Sequence, residues 1–309
     1  MEQSEPDISI VVCTYNRAEL LKGCLESLAH QSVEESDYEV IIVDNNSTDN
    51  TEDIANAFAE RYPNFFYVKE ANQGLSHARN KGYMEARGKY VAYIDDDARA
   101  EARWAELIVE AFEIVTPAPV AVGGKILPWY DIPPPTWFSD SVEMRSWGEE
   151  KGFLKQPDAQ FGFSGSNMAI NKSVLVKYNG FSADYGMLGI MMGFGEEAEL
   201  FYRIYKEHPL FWYDPAVQVR HRVPAEKMTL YYQIKRSFMA GIAKAGIVEE
   251  NRLFGIFKMS MLIILKIGIL PLRINWLNHN RKRGLLKCVE PVASHAGFLK
   301  GLISRTSNR

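Results

Sequence analysis

Cysteine is scarce in this 309-residue chain, limited to Cys13, Cys24 and Cys288, an odd number without metal-ligand spacing. That excludes a disulfide framework and a cysteine zinc site, and it fits a reducing compartment. The N-terminus, Met1 to Asp7, has neither the basic region nor the apolar run of a signal peptide, so the catalytic part is expected to stay in the cytoplasm. Acid is almost missing from the tail. From Asn251 onward eleven Lys/Arg stand against one acid, Glu290, which leaves 24 basic and 38 acidic residues in 1–250, or −14 followed by +10. Such asymmetry suggests an anionic partner, and the lack of a basic-aromatic module disfavours nucleic acid relative to a membrane surface. With 47% hydrophobic and 24% charged residues the chain is composed to bury a full α/β core rather than to remain disordered.

Short β-branched runs alternate with helical spacing along the first 127 residues. Ile8 to Arg17 is a β-branched run that ends in polar residues, too apolar on both faces for an antiparallel edge and suited to a central parallel strand. A helix follows it, with Asn16 as the expected N-cap, Glu19 three places on, and Leu20, Leu21, Cys24, Leu25 and Leu28 inward. Tyr38 to Val43 is the second strand and ends in Asp44. A turn cluster, Asn45 to Asp49, leads to a helix facing inward with Ile54, Ala55, Phe58 and Ala59, and Phe65 to Val68 is the third strand. A helix opening near Asn72 leads into Tyr90 to Ile94, a strand that runs straight into Asp95, Asp96 and Asp97. This order describes a doubly wound sheet with right-handed crossovers, whose polar strand ends collect along one edge. Three adjacent like charges repel. At that edge a hard divalent cation carrying a phosphate relieves the repulsion, although a solvated turn would also use Asp.

Beyond this lie a helix over Trp104 to Val115, a strand over Val120 to Leu127, and a proline-stiffened loop, Pro128 to Phe138. Trp129, Tyr130, Trp137 and Trp147 could stack on sugar rings or pin the loop to the core. Phe161 to Ile170 is a strand entered through a small-residue turn. Gly193 to Ile204 puts Glu196, Glu197 and Glu199 in a first helical turn, where the macrodipole alone favours acids. Phe211 to Arg222 is a late strand ending near His221.

Val11-Val12-Cys13-Thr14-Tyr15-Asn16-Arg17, Ile42-Val43-Asp44-Asn45-Asn46-Ser47-Thr48-Asp49, the Asn72 to Gly82 segment and Ile94-Asp95-Asp96-Asp97 together resemble the ordered motifs of the inverting family 2 glycosyltransferases, across roughly residues 8 to 222. The resemblance implies a GT-A fold, a mixed sheet flanked by helices. It also implies a nucleoside-diphosphate-sugar donor (UDP, GDP or dTDP, UDP being commonest) and Mn²⁺ or Mg²⁺ as cofactor. Carried over, Thr14, Tyr15 and Asp44 contact base and ribose, with an Asx turn as the rival role for Asp44. Asp95, Asp96 and Arg79 face the donor, and Arg79 could equally be a solvated helix-face charge. Asp95 and Asp97 form the Asp-x-Asp pair, Asp97 being the more direct ligand. His221 completes the metal shell or touches the diphosphate, and Ser166 and Asn167 are donor or acceptor contacts, with a tight turn before an ordinary strand as their rival role. The family's acidic motif supplies the base, assigned to Glu197 ahead of Glu196, with Glu where Asp is commoner.

The expected division is a catalytic domain over 1–222, its nucleotide-sugar part about 1–127 and its acceptor part about 128–222, then a helical basic extension over 223–309. Tyr231 to Ala245 reads as an amphipathic helix. Leu253 to Leu272 approaches bilayer length, but Lys258 and Lys266 interrupt it. An in-plane or re-entrant helix on the cytoplasmic face of a membrane is the first expectation, a single span the second, and a buried helix or dimer interface the third. The expected activity is sugar transfer onto a hydroxyl of a lipid-linked or growing glycan in cell-surface polysaccharide synthesis. The rivals are a nucleotidyltransferase, which would need a glycine-rich basic loop where the chain reads Thr14-Tyr15-Asn16-Arg17, and a catalytically silent glycan-binding scaffold. Oligomeric state is left open.

Overall fold

A computed structural model of the chain describes residues 5–155, 161–188, 193–247 and 281–304. The chain divides into two compact units. One comprises Met1–Trp129, Met144–Met191 and Glu196–Arg222, and the other Tyr130–Glu143, Met192–Gly195 and Val223–Arg309.

The first unit is built on a mixed sheet. Its parallel half joins β1 (Ile8–Thr14), β2 (Tyr38–Asp44), β3 (Phe65–Lys69) and β4 (Tyr90–Asp95) in the order β3-β2-β1-β4, with α1 (Ala18–Leu28), α2 (Thr51–Arg61) and α3 (Leu75–Glu85) as crossovers. β1 and β2 are apolar at nearly every position and buried on both faces, as strands between two helical layers must be. Leu21, Leu25 and Leu28 of α1 are wholly buried on one face. Each contributes about 1.5–3 kcal/mol by leaving water.

The sheet continues antiparallel through strands that chain order does not announce. A three-residue strand, β5 (Ala98–Ala100), follows the acids, and α4 (Trp104–Ile114) leads to β6 (Ala121–Tyr130). The short β7 (Gly152–Phe153) and β8 (Met168–Asn171) follow, then α5 (Lys172–Lys177), α6 (Glu196–Tyr205) and β9 (Phe211–Val223). β8 lies against β4, β6 beyond it, then β9, with β5 at the far edge and β7 also on β9.

The first helix starts differently from expectation. It begins at Ala18, whose N–H donates to Asp49 Oδ2 at 3.1 Å, so the side chain that accepts its first N–H comes from the loop after β2 and not from Asn16. Asn16 adopts a left-handed backbone, φ 52°, a conformation Asn tolerates. Its N–H donates to Ser47 Oγ at 2.9 Å and its Oδ1 accepts the Thr48 N–H at 2.7 Å. The loops after β1 and β2 are therefore sewn together. Asn45 sews the next pair, donating to the Asn72 carbonyl and accepting the Gly74 N–H, each at 2.7 Å.

The second unit is helical. α7 (Leu230–Ile247) and α8 (Arg281–Ser304) pack on each other through glycines. A Cβ at Gly241 would lie 2.0 Å from the Ser294 carbonyl oxygen, and one at Gly297 would lie 1.9 Å from that of Phe238. Trp137 and Phe138, an edge-on pair, are buried with Val223 and Met228. They pin their loop to this unit, whereas Trp147 sits edge-on to Phe163 and Tyr213 in the first. Trp129 stays 38% exposed beneath the Arg99 guanidinium. Among the described residues no helix is long and apolar enough to cross a membrane. The run Leu253 to Leu272 lies outside the described residues.

Candidate active site

Parallel register fixes the first part of the site. Thr14 stands opposite Asp44 and Cys13 opposite Asp95, so three neighbouring strands end side by side. Asp44 is buried. Its Oδ1 accepts the Ser47 N–H at 2.8 Å and its Oδ2 the Tyr67 hydroxyl at 3.0 Å. It is thus an Asx-type turn former as well as the acid at the strand end, and the two roles coexist. Thr14 is buried beside it, and Tyr15 is half-buried at the same edge.

The β5–β9 pairing supplies the second part. Ala98 stands opposite His221, and the Arg222 N–H donates to the Asp97 carbonyl at 3.0 Å. This brings an imidazole from 124 positions later onto the acids. His221 Nε2 lies 3.2 Å from Asp97 Oδ1 and 3.5 Å from Asp95 Oδ2. One ligand atom from each of the three falls within 4.8 Å of the others. Two hard carboxylates and an imidazole fit a divalent cation such as Mn²⁺ or Mg²⁺. Burial opposes charge on Asp95, but the hydrogen bond to His221 and the field of Arg79 prevail and hold it down at about 2. Burial pushes Asp96 up to about 7, with Arg17 opposing and Asp97 adding to the rise.

Arg79 joins these acids to the second acidic pair. It is 3% exposed, so it is no solvated helix charge. Its guanidinium lies 3.6 Å from Asp95 Oδ1, 3.0 Å from Glu196 Oε1 and 3.3 Å from Glu197 Oε1. Burial weakens its hold on its proton, but the charges of Glu197, Glu196 and Asp95 outweigh that and hold the proton more firmly than usual. The two glutamates differ. Glu196 is buried, its Oε2 has no hydrogen-bond partner among the described residues, and burial followed by the charge of Glu197 pushes it up to about 8. The Glu197 side chain is 21% exposed, and its Oε1 also accepts the Gly165 N–H at 3.0 Å. Any side chain at Gly165 would push Arg79 and Glu197 from these positions. A Cβ there would sit 1.9 Å from Arg79 Nη2 and 2.5 Å from Glu197 Oε1.

Two further positions part company. Ser166 is buried in the turn before β8, its hydroxyl 3.4 Å from that of Ser164. Asn167, expected as a sugar contact or as part of a tight turn, is hydrogen-bonded as a strut. Its carboxamide donates to the Lys125 carbonyl at 3.1 Å and the Val217 carbonyl at 2.9 Å, and accepts the Trp104 indole N–H at 2.8 Å. Its polar atoms are spent on binding β6, α4 and β9 together. Glu199 pairs with Arg203 one turn on, whose guanidinium also donates to the Tyr178 and Gly180 carbonyls, so the pair ties α6 to the turn after α5. Sequence reasoning missed Arg17, whose Nη1 lies 3.0 Å from Asp96 Oδ1, although its place directly after Thr14-Tyr15-Asn16 was a usable signal.

A mixed sheet carrying acids at its parallel strand ends, with an imidazole and two glutamates gathered beside them, defines a GT-A-type glycosyltransferase. Residues 9–178, more than half the chain, match the model of glycosyl transferase family 2, and the chain belongs to that family. It is 29% identical over 240 residues, covering 77% of this chain and 76% of the relative, to a glucosyl-dolichyl phosphate glucuronosyltransferase of Haloferax volcanii. In structure it resembles the Pyrobaculum calidifontis mannosyltransferase PcManGT in complex with GDP-Man and Mn²⁺. That likeness has a TM-score of 0.58 at 18% identity over 98% of this chain and 75% of that one. It also resembles S. aureus TarS 1-349 in complex with UDP, with a TM-score of 0.53 at 15% identity over 98% of this chain and 92% of that one. The chain is a glycosyltransferase. Glu196, Glu197 and His221 lie beyond the matched stretch, so their place in the site rests on geometry.

Proposed function

We propose that the chain transfers a sugar, with inversion, from a nucleoside diphosphate sugar to a hydroxyl of a lipid-linked or growing glycan. The observation that carries this is the buried guanidinium of Arg79, lying 3.6 Å from Asp95 and 3.3 Å from Glu197. It sets an ion-binding group and a partly exposed carboxylate on either side of one rigid cation. Asp95, Asp97 and His221 would hold Mn²⁺ or Mg²⁺. When bound, the ion supplies neutralising charge to the departing diphosphate. Asp44, kept in place by Tyr67 and the Ser47 N–H, meets the nucleoside, with Thr14 and Tyr15 beside it. Glu197 is the base. Its Oε1 is anchored by Arg79 and the Gly165 N–H, so Oε2 takes the acceptor proton as the acceptor oxygen bonds to the anomeric carbon and the carbon–phosphate-oxygen bond breaks toward the diphosphate.

A UDP-sugar is the donor proposed. Support for a diphosphate donor comes from the UDP complex of TarS and the GDP-Man complex of PcManGT, and support for a lipid-linked acceptor comes from the name of the H. volcanii relative. The basic excess after Asn251 supports a place on the cytoplasmic face of a membrane, where polybasic segments gain about 1 kcal/mol per Lys/Arg. Purified protein with UDP-, GDP- and dTDP-sugars, Mn²⁺ and a polyprenyl phosphate-linked glycan tests this directly. Release of diphosphate with one donor, abolished by EDTA and by Glu197→Gln, is expected. Release that survives Glu197→Gln would remove the base assignment. Failure to pellet with phosphatidylglycerol vesicles, against phosphatidylcholine controls, would remove the membrane proposal.

A further inference from the structure

One cation at the site has no role in the account above. Arg17 is the residue that precedes α1, where the helix's positive end disfavours a cation, so its position is not explained by helix stability. Its Nη1 lies 3.0 Å from Asp96 Oδ1 and 3.4 Å from Asp97 Oδ2. On its other oxygen, Asp97 meets His221 Nε2 at 3.2 Å. The same carboxylate that would ligate a divalent ion is thus already shared between two basic groups. The Asp96 and Asp97 side chains are 5% and 6% exposed, while that of Arg17 is 43% exposed. The acids are fixed and the cation can move. There is room for it to do so, because Arg17 also lines an open groove of about 440 Å³ with Asn16, Glu19, Leu20, Asp49 and Asn50.

We infer that Arg17 is a place-holding cation, bridging Asp96 and Asp97 until a divalent ion arrives and then turning to the diphosphate that arrives with it. This rests on reading Asp95, Asp97 and His221 as the ion site. With Arg17 in place, an ion alone must displace or sit beside a like charge. An ion accompanied by diphosphate brings a new partner for the released guanidinium. The two ligands therefore tighten each other, and by linkage the factor is the same in both directions. A guanidinium suits the exchange, since its planar fork bonds carboxylate and phosphate alike.

The test is Mn²⁺ binding, followed by the electron paramagnetic resonance signal of free Mn²⁺, to the full chain and to Arg17→Gln, without nucleotide and then with UDP or GDP. Wild type is expected to bind Mn²⁺ weakly alone and more tightly with one nucleotide. Arg17→Gln should bind Mn²⁺ alone about tenfold more tightly than wild type and should lose a similar factor of nucleotide coupling, within the 5–150-fold typical of linked sites. Arg17→Lys, which keeps the charge, should stay near wild type. Arg17→Met serves if the Gln variant fails to fold. An uncharged variant that binds Mn²⁺ alone no better than wild type overturns the inference and means that Arg17 only neutralises Asp96. Wild type that binds no Mn²⁺ with or without either nucleotide removes the ion site itself, a separate failure that takes the inference with it.

Discussion

Glu196→Gln should make the protein more stable, and the gain should depend on pH. Glu196 is 4% exposed, shares Arg79 with Glu197, and leaves Oε2 without a hydrogen-bond partner among the described residues. Burial, then the neighbouring charge of Glu197, raises it from 4.5 to about 8, with Arg79 opposing and Asp95 adding to the rise. An acid whose folded pKa exceeds its unfolded pKa binds more protons folded than unfolded between the two values. Its contribution is therefore whole below about 4.5 and is lost as pH rises toward about 8. At about 1.4 kcal/mol per unit, the loss between pH 5 and pH 7.5 is on the order of 3 kcal/mol. Gln copies the protonated form and escapes it. At about 2–4 °C per kcal/mol for a domain of this size, the variant's melting temperature should gain on wild type by on the order of 5–10 °C across that range. Paired thermal and urea melts from pH 5 to pH 9 read it out. A Glu196→Gln protein equally or less stable at every pH would show that Glu196 is charged in the folded state, and the reasoning about the buried pair would be wrong.

Gly165→Ala should separate binding from chemistry. A Cβ there would lie 1.9 Å from Arg79 Nη2 and 2.5 Å from Glu197 Oε1, so kcat should fall about 100-fold while the donor KM moves little, as steady-state kinetics would record. Asn167→Ala strips partners from Lys125, Val217 and Trp104 and should cost about 3 kcal/mol or more at one to three per orphaned group, measurable by urea denaturation. Tyr67→Phe removes one of the two bonds that hold Asp44 and should weaken nucleotide binding by about fivefold, at roughly 1 kcal/mol per hydrogen bond, in calorimetry with UDP or GDP.

Much of this site was legible because strand ends are local. The β-branched runs closing in Thr14, Asp44 and Asp95 name the parallel strands, and once these are adjacent the acids have to meet. The order of the motifs then fixed the family. What the sequence concealed depends on partners distant in the chain. Asp49 rather than Asn16 faces the first N–H groups of α1, because Asn16 is turned left-handed to bond the next loop. β5, three residues long, carries no periodicity of its own, yet its pairing with β9 delivers His221. Asn167 reads as a ligand contact in a small-residue turn, and only the approach of β6, α4 and β9 reveals it as a strut. Arg79 is named by its motif, but only the three carboxylates that close around it from separate segments exclude a solvated helix charge.

Crystals soaked with Mn²⁺ and the accepted sugar nucleotide, with data collected at the manganese edge, test the site most directly. An anomalous peak bonded to Asp97 and His221, with the diphosphate on the ion and the sugar's anomeric carbon turned toward Glu197, is the predicted result. A peak elsewhere, or a sugar nucleotide bound away from the ends of β1, β2 and β4, would contradict the account.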